Sequence, residues 1–398
     1  MARLDKDAIA DLLDKNPLAG IIGGKVKLGR PNGKGVCDGP CLCEPQKGKS
    51  PLWVTPSHRW GCFKNTACGG DTFDYLRVHE GLEFRAAIER LGGAETVEAD
   101  PTAVAEARAL REEEVAARRR REAALAEDER RRAFAIWETG TSPEGTLVAA
   151  YFAHRGLTLP DTPSLRFAPD EVYWWTAGEK PQAIYSGPCM LAAIQGPDGR
   201  FAAVHRTWLD PRLGTAAMPP WGIGEACASG KAQILAPDGS PAGNVKKMRG
   251  TKKGGAIRLT RPPPAGVKAP LLVGEGIETA RTVHQSVEMH QPGLGWQAHV
   301  ATDLGNIAGG AVGVSTPHPD RPGRRVPSPE PDLSDPGYMP PEWASFIVLL
   351  GDGDSDPLVT GALLERGRRR YEAAGFPAFI AMSAAGEDFN SMLMKRAA

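Results

Sequence analysis

The chain has 398 residues, enough for two or three domains and at least one sizeable core. Its 41% hydrophobic content excludes a disordered chain, and no apolar run approaches the ~20 residues of a membrane-spanning helix. The formal net charge of zero conceals segregation: eight Lys/Arg face two Asp/Glu from Lys25 to Lys64, twelve face three from Arg200 to Lys268, and ten face sixteen from Leu271 onward. Two basic surfaces beside one acidic site suit a polyanion bound near metal-binding carboxylates.

Taken in chain order, residues 4–15 have the spacing of a short helix, with Leu4, Ile9, Leu12 and Leu13 on one face. Short strands are expected at Lys34–Cys37, Leu52–Thr55 and Arg59–Phe63. Residues 71–91 return to helical spacing, and Gly92-Gly93 stops them. The Ala-, Arg- and Glu-rich stretch 103–136 has no Gly or Pro and predicts a long helix or a helix pair, solvated along its Arg118–Arg121 and Arg130–Arg132 runs. From about residue 140 the pattern is mixed α/β. Strands are expected at Leu191–Ile194, Phe201–His205, Ala256–Leu259, Leu271–Val273, Phe346–Leu350 and Phe379–Met382. Helices are expected over Thr279–Val287 and through Leu363, Leu364, Tyr371 and Ala374, and the alternation implies a mainly parallel sheet. Pro317–Pro341, rich in Pro, Asp and Arg, predicts a long exposed insertion. The boundaries drawn from this pass are 1–100, 101–139, 140–268 and 269–398.

Five of the seven cysteines lie between Cys37 and Cys68. Two groups of thiols, Cys37, Cys41 and Cys43 and then Cys62 and Cys68, separated by a hairpin-sized segment, suit one tetrahedral structural zinc. Four of the five would bind it: Cys62 and Cys68, and Cys43 with either Cys41 or Cys37. No secretory signal is read before the cluster, so a cytoplasmic chain with reduced thiols is expected. The surrounding residues resemble the zinc-ribbon module of bacterial and phage DNA primases. They are Ser50-Pro51-Leu52-Trp53-Val54, Trp60-Gly61-Cys62-Phe63 and Cys68-Gly69-Gly70-Asp71-Thr72-Phe73, then Phe84-Arg85-Ala86-Ala87-Ile88. This chain departs from that family in having five residues between Cys62 and Cys68. The resemblance implies contact with single-stranded template, for which Lys64, Trp53 and Trp60 would supply charge and stacking.

Acidic residues recur after apolar strands in the last third: Glu275, then Asp352 and Asp354, then Asp388. Carboxylates at the carboxyl ends of parallel strands converge on one crevice, and oxygen ligands there suit Mg²⁺ or Mn²⁺. The order resembles the Toprim domain of primases and topoisomerases over roughly residues 269–393, with Asn390 or Ser391 where primases often carry a second acid. The resemblance implies catalytic roles for Glu275, Asp352, Asp354 and Asp388, with the first three binding metal. Between the zinc and acidic segments, Met190–Leu209 and Lys246–Leu259 resemble the basic subdomain that precedes Toprim in phage and plasmid primases. Arg206, Lys246, Lys247 and Lys253 would then hold template phosphates or an incoming triphosphate.

The fold expected is therefore α/β: an N-terminal zinc ribbon, a helical connector, and a mixed α/β primase core ending in a parallel-sheet Toprim domain. The expected function is synthesis of short RNA primers on single-stranded DNA from ribonucleoside triphosphates, with a replicative helicase acting in trans. The alternatives are a metal-dependent nuclease and a non-catalytic DNA-binding recombination or loading factor.

Overall fold

The computed structural model describes residues 6–31, 35–40, 51–62, 69–92, 101–176, 180–214 and 229–397. The chain divides into two compact units, Met1–Val115 and Ala116–Ala398. Overall it is mixed α/β, with antiparallel sheets and one mixed sheet containing parallel strands near the C-terminus. No helix among the described residues is long and apolar enough to cross a membrane.

The first unit opens with helices α1 (Lys6–Lys15) and α2 (Leu18–Gly23). An antiparallel sheet follows, β1 (Cys37–Gly39), β2 (Leu52–Val54), β3 (Arg59–Cys62) and β4 (Gly69–Asp71), in that spatial order. Residues 71–91 were expected as one helical stretch; they form two helices, α3 (Thr72–Glu80) and α4 (Phe84–Arg90). The break is Gly81, which ends α3 in the left-handed conformation (φ 67°). Asp71 starts α3 through a reciprocal capping box with Asp74. Leu18, Ile22, Leu52, Val54, Trp60, Tyr75 and Leu76 close this unit's core.

Helix α5 (Pro101–Glu138) is continuous over 38 residues. Its arginines pair with acids three residues back, Arg130 with Glu127 and Arg132 with Glu129, as a solvated helix requires. Its last turns are not solvated: Ala133 and Trp137 enter the core of the second unit.

After α6 (Leu147–His154), the second unit builds an antiparallel sheet from β5 (Leu165–Trp175), β6 (Gln182–Gln195), β7 (Phe201–Trp208) and β8 (Lys246–Gly250). The expected parallel sheet is thus confined to later residues. Residues 165–250 are antiparallel because tight turns, not helical crossovers, join β6 to β7.

The mixed sheet comprises β9 (Ile257–Arg258), β10 (Ala269–Gly274), β11 (Gln297–Val300), β14 (Ala344–Gly351) and β15 (Ala378–Met382). Between its strands lie α7 (Ile277–His290), α8 (Leu304–Ala308), a short hairpin of β12 (Thr316–Pro317) and β13 (Arg325–Val326), and α9 (Pro357–Ala373); α10 (Phe389–Ala397) ends the chain. Spatial order is β15-β14-β10-β11-β9, parallel except for β9. Successive residues of β10 feed opposite cores: Leu272 packs with Ile277 and Ala280 of α7, while Leu271 and Val273 pack with Leu364 of α9. The chain leaves β10 toward β11 on one side and returns to β14 on the other. The topological switch point therefore lies between β10 and β14, where a crevice opens at the carboxyl ends.

Pro317–Pro341 is not the free exposed insertion expected. His318 and Tyr338 are buried, and two buried arginines of α9 fasten the segment from below. Arg370 donates to the carbonyls of Ala308, Gly310 and Asp332, and Arg366 donates to those of Ser328 and Gly309.

The segment between β8 and β9 is tied to the end of β11 through Asn306, whose amide donates to the carbonyls of Lys252, Gly255 and Ala301 and accepts from the Gly254 N–H at 2.8 Å. Asn306→Ala leaves several buried backbone groups unpaired and should destabilise the protein by about 3 kcal/mol in equilibrium chemical denaturation. A loss below about 1 kcal/mol would show that water replaces the amide.

Candidate functional site

A cleft of about 490 Å³ opens at the switch point. Glu275 enters it from the end of β10, Asp352 and Asp354 from the end of β14, and Asp388 from the turn before α10. Its other wall comes from the antiparallel sheet, through His205 and Thr207 of β7 and Lys246 and Met248 of β8, with Lys231 and Arg155 beside them. The wall follows from strand alternation: Ala203, His205 and Thr207 face one side of β7, while Val204, Arg206 and Trp208 face the other.

The acids crowd one another. Burial, then the neighbouring charges of Asp388 and Asp354, push the Asp352 carboxyl up to about 6, against a hydroxyl hydrogen bond from Thr279 that spans both its oxygens at 3.1 Å. Glu275 is likewise raised, by burial and then by Asp352 and Asp303. Crowded carboxylates of this kind are the usual setting of a cation site. Yet among the described residues no three His, Cys, Asp or Glu side chains stand together at metal-ligand spacing. The carboxylates line an open crevice rather than a cage, which fits a hard divalent ion that keeps waters and phosphates in its shell.

The cationic wall has its own buried acid. Glu278, on the first turn of α7, receives Lys231 at 2.8 Å, Lys246 at 3.4 Å and the Tyr151 hydroxyl at 2.5 Å. Burial would raise this carboxyl, but Lys246 and Lys231 hold it well below the usual carboxylate range. Burial also lowers Lys231 and drives His205 down to about 4, so His205 is neutral at physiological pH. Arg155 lines the same cleft with its buried Nε hydrogen-bonded to nothing among the described residues. Thr302, at the end of β11, lines the floor with φ 71°, a conformation that costs a β-branched residue energy.

Residues 127–259, the end of α5 through β9, match the family described as a domain of unknown function, DUF7146. Neither a curated protein nor a solved structure matches this chain. The matched segment supplies the cationic wall of the cleft, and the four acids lie beyond it.

Several sequence-predicted positions stand elsewhere. Arg206 is buried on the far face of β7, paired to Glu171 at 2.8 Å and stacked over Trp208, so it does not reach the cleft. Lys253 pairs with Asp335. Lys247 borders the cleft, but its ammonium lies over the Tyr173 ring and donates to the Trp174 carbonyl. Asn390 is fully buried and donates to the Arg155 carbonyl and to Thr282, a fastening of α10 rather than a variant metal ligand. In the first unit Trp60 is 1% exposed, edge-on to Tyr75, and leaves no face for a base. The Trp53 ring lies over Gly61, where a Cβ would stand 2.5 Å from it.

Cys41, Cys43, Cys68 and Lys64 lie outside the described residues. Cys37 and Cys62 are two strands apart and offset by two residues in register, since Cys37 pairs with Val54 and Cys62 with Leu52. Strand spacing puts their Cα atoms roughly 12 Å apart. Two thiolates on one zinc need Cα atoms within about 9 Å.

Sequence reasoning missed Glu278, Lys231 and Arg155. Glu278 had a signal, standing three residues beyond Glu275 at the start of α7; Lys231 had none.

The raised Asp352 carboxyl sets a sign for stability. Its folded value lies above the unfolded one, so the metal-free protein takes up a proton on folding between those values and loses stability as pH rises through about 6. Asp352→Asn should therefore stabilise the metal-free protein at pH 7.5 by about 1 kcal/mol, discounted for partial exposure, with the gain gone near pH 4. Thermal melts across pH in chelator check it; an equal effect at both pH values sinks the crowding argument.

Proposed function

We propose that the protein is a DNA primase that condenses ribonucleoside triphosphates into short primers on single-stranded DNA, with a Toprim-type core over residues 269–398. The observation that carries the reading is the division of charge about one cleft. Glu275, Asp352 and Asp354 from parallel-strand ends and Asp388 from the turn before α10 stand on one side, and Lys231, Lys246 and Arg155 on the other. A triphosphate needs both, metal-binding carboxylates at its reacting phosphorus and fixed cations along its remaining oxygens. The sheet order with its switch point between Glu275 and Asp352 supports the same reading.

In the proposed reaction a 3′-hydroxyl attacks the α-phosphate of the incoming nucleotide and pyrophosphate leaves. Mg²⁺ or Mn²⁺ on Glu275, Asp352 and Asp354 would neutralise charge growing on the phosphates. Thr279 orients Asp352 for that role. Glu278 fixes Lys231 and Lys246 at the cleft wall, and Arg155 offers the guanidinium donors not committed to any described carboxylate. Asn390, buried and structural, lends no support to a degenerate, non-catalytic core. A replicative helicase in trans would open the duplex.

A structural zinc completes the reading for the first unit. The register of β1 and β3 favours Cys62 with Cys41, Cys43 and Cys68 over any set containing both Cys37 and Cys62. Cys37→Ser should keep one zinc per chain by metal analysis, and Cys62→Ser should lose it; loss from Cys37→Ser reverses the assignment.

Primer synthesis is checked with labelled ribonucleotides and Mg²⁺ or Mn²⁺ on varied single-stranded templates. Short products are expected from the wild type, none from Asp352→Ala/Asp354→Ala, and about 10–100-fold less kcat/KM from Arg155→Ala. Template degradation instead of synthesis would make the protein a nuclease, and neither activity would leave a DNA-binding factor.

A further inference from the structure

The insertion before β14 is built to present its tip. Two buried arginines, Arg366 and Arg370, donate to five of its flanking carbonyls, and Arg369 pairs with Glu330. The β12–β13 hairpin then carries residues 318–324 outward, with the His318 N–H donating to the Arg324 carbonyl at 2.9 Å. The tip turns back onto one carboxylate, Asp356, two residues beyond Asp354. His318 reaches Asp356 at 3.1 Å, Arg321 at 3.0 Å and Arg324 at 3.8 Å.

The charge does not balance. One buried carboxylate, which also caps α9 through the N–H groups of Leu358 and Val359, is met by two guanidiniums and by the His318 imidazole, whose Nδ1 accepts from the Asp320 N–H; with Asp320 and Arg325 counted, the hairpin and Asp356 carry three arginines against two carboxylates. Arg321 and Arg324 are 51% and 62% exposed, and each keeps most of its five donors in solvent. A surplus of planar cations, fastened from beneath and two residues from Asp354 of the acidic cleft through its anchor Asp356, matches a phosphodiester backbone in sign and in donor geometry.

We propose that Arg321 and Arg324 at the hairpin tip form a backbone clamp for the nucleic-acid strand that passes the acidic cleft. This rests on the primase reading for the strand's presence, and it assigns that strand a second contact outside both the carboxylates and the Lys231–Lys246 wall. The guanidiniums engage phosphates and read no base, so the contact is independent of sequence.

The test is fluorescence anisotropy of the full-length protein with a labelled oligothymidylate of about 20 nucleotides, over a range of salt concentrations. Arg321→Ala/Arg324→Ala should weaken binding about ten-fold at 0.15 M salt and reduce the slope of log K against log salt by about 1.4, two phosphates' worth for a single strand. Arg321→Lys/Arg324→Lys keeps charge and the pairing to Asp356, and should keep the slope. Wild-type affinity and slope in the alanine variant overturn the clamp, as does equal loss in the lysine variant at unchanged melting temperature. A wild-type protein that binds no single strand at all instead removes the primase reading on which the clamp stands.

Discussion

The cleft depends on one buried carboxylate in its wall. Glu278 stands on α7 against the parallel sheet, while its partners arrive from elsewhere, Tyr151 from α6, Lys246 from β8 and Lys231 from the segment beyond β7. A buried charge with three donors is tolerable, and with one removed it is expensive, by about 3–5 kcal/mol. That asymmetry fixes the position of the cationic wall relative to the acids. Asn306 performs the neutral counterpart of this task nearby, tying residues 252–255 to the end of β11. The crevice thus has one charged and one uncharged fastening, and the charged one is made by the same Lys231 and Lys246 that line the cleft.

On the acidic side the physics runs the other way. Glu275 and Asp352 are raised because burial and like charges disfavour their ionised forms. The strained Thr302 lies in the same floor. Energy is held at the crevice while the flanking cores, aliphatic on both faces of the parallel strands, are well satisfied. Stability is concentrated in the cores, and unresolved charge is concentrated where a ligand would neutralise it.

Much of this was legible in the sequence, for identifiable reasons. The strands carrying Glu275 and Asp352 are uninterrupted aliphatic runs ending in glycine, and α9 has clear helical spacing to Gly375. Strand β11 was hidden because it reads Gln-Ala-His-Val; its polar members are buried only because Thr260 and Tyr338 meet them. Strand β8 was hidden because an edge strand with lysines in sequence shows no hydrophobic alternation. Strand β5 was missed altogether, its alternation broken by the register shift between Ala168 and Glu171. Arg206 was misread because sequence gives a residue's charge without its strand face. A one-residue step along β7 separates a cleft residue from one sealed against Glu171.

The arginines of α9 carry a consequence for how the chain assembles. Residues 309–337 are synthesised before α9, yet the carbonyls of Ala308, Gly310 and Asp332 acquire their donor only when Arg370 is delivered from that helix. Synthesis order and consolidation order are therefore inverted over this stretch. The hairpin and its flanks wait as an unsealed loop until β14 and α9 have docked, and then close over a cation already in place.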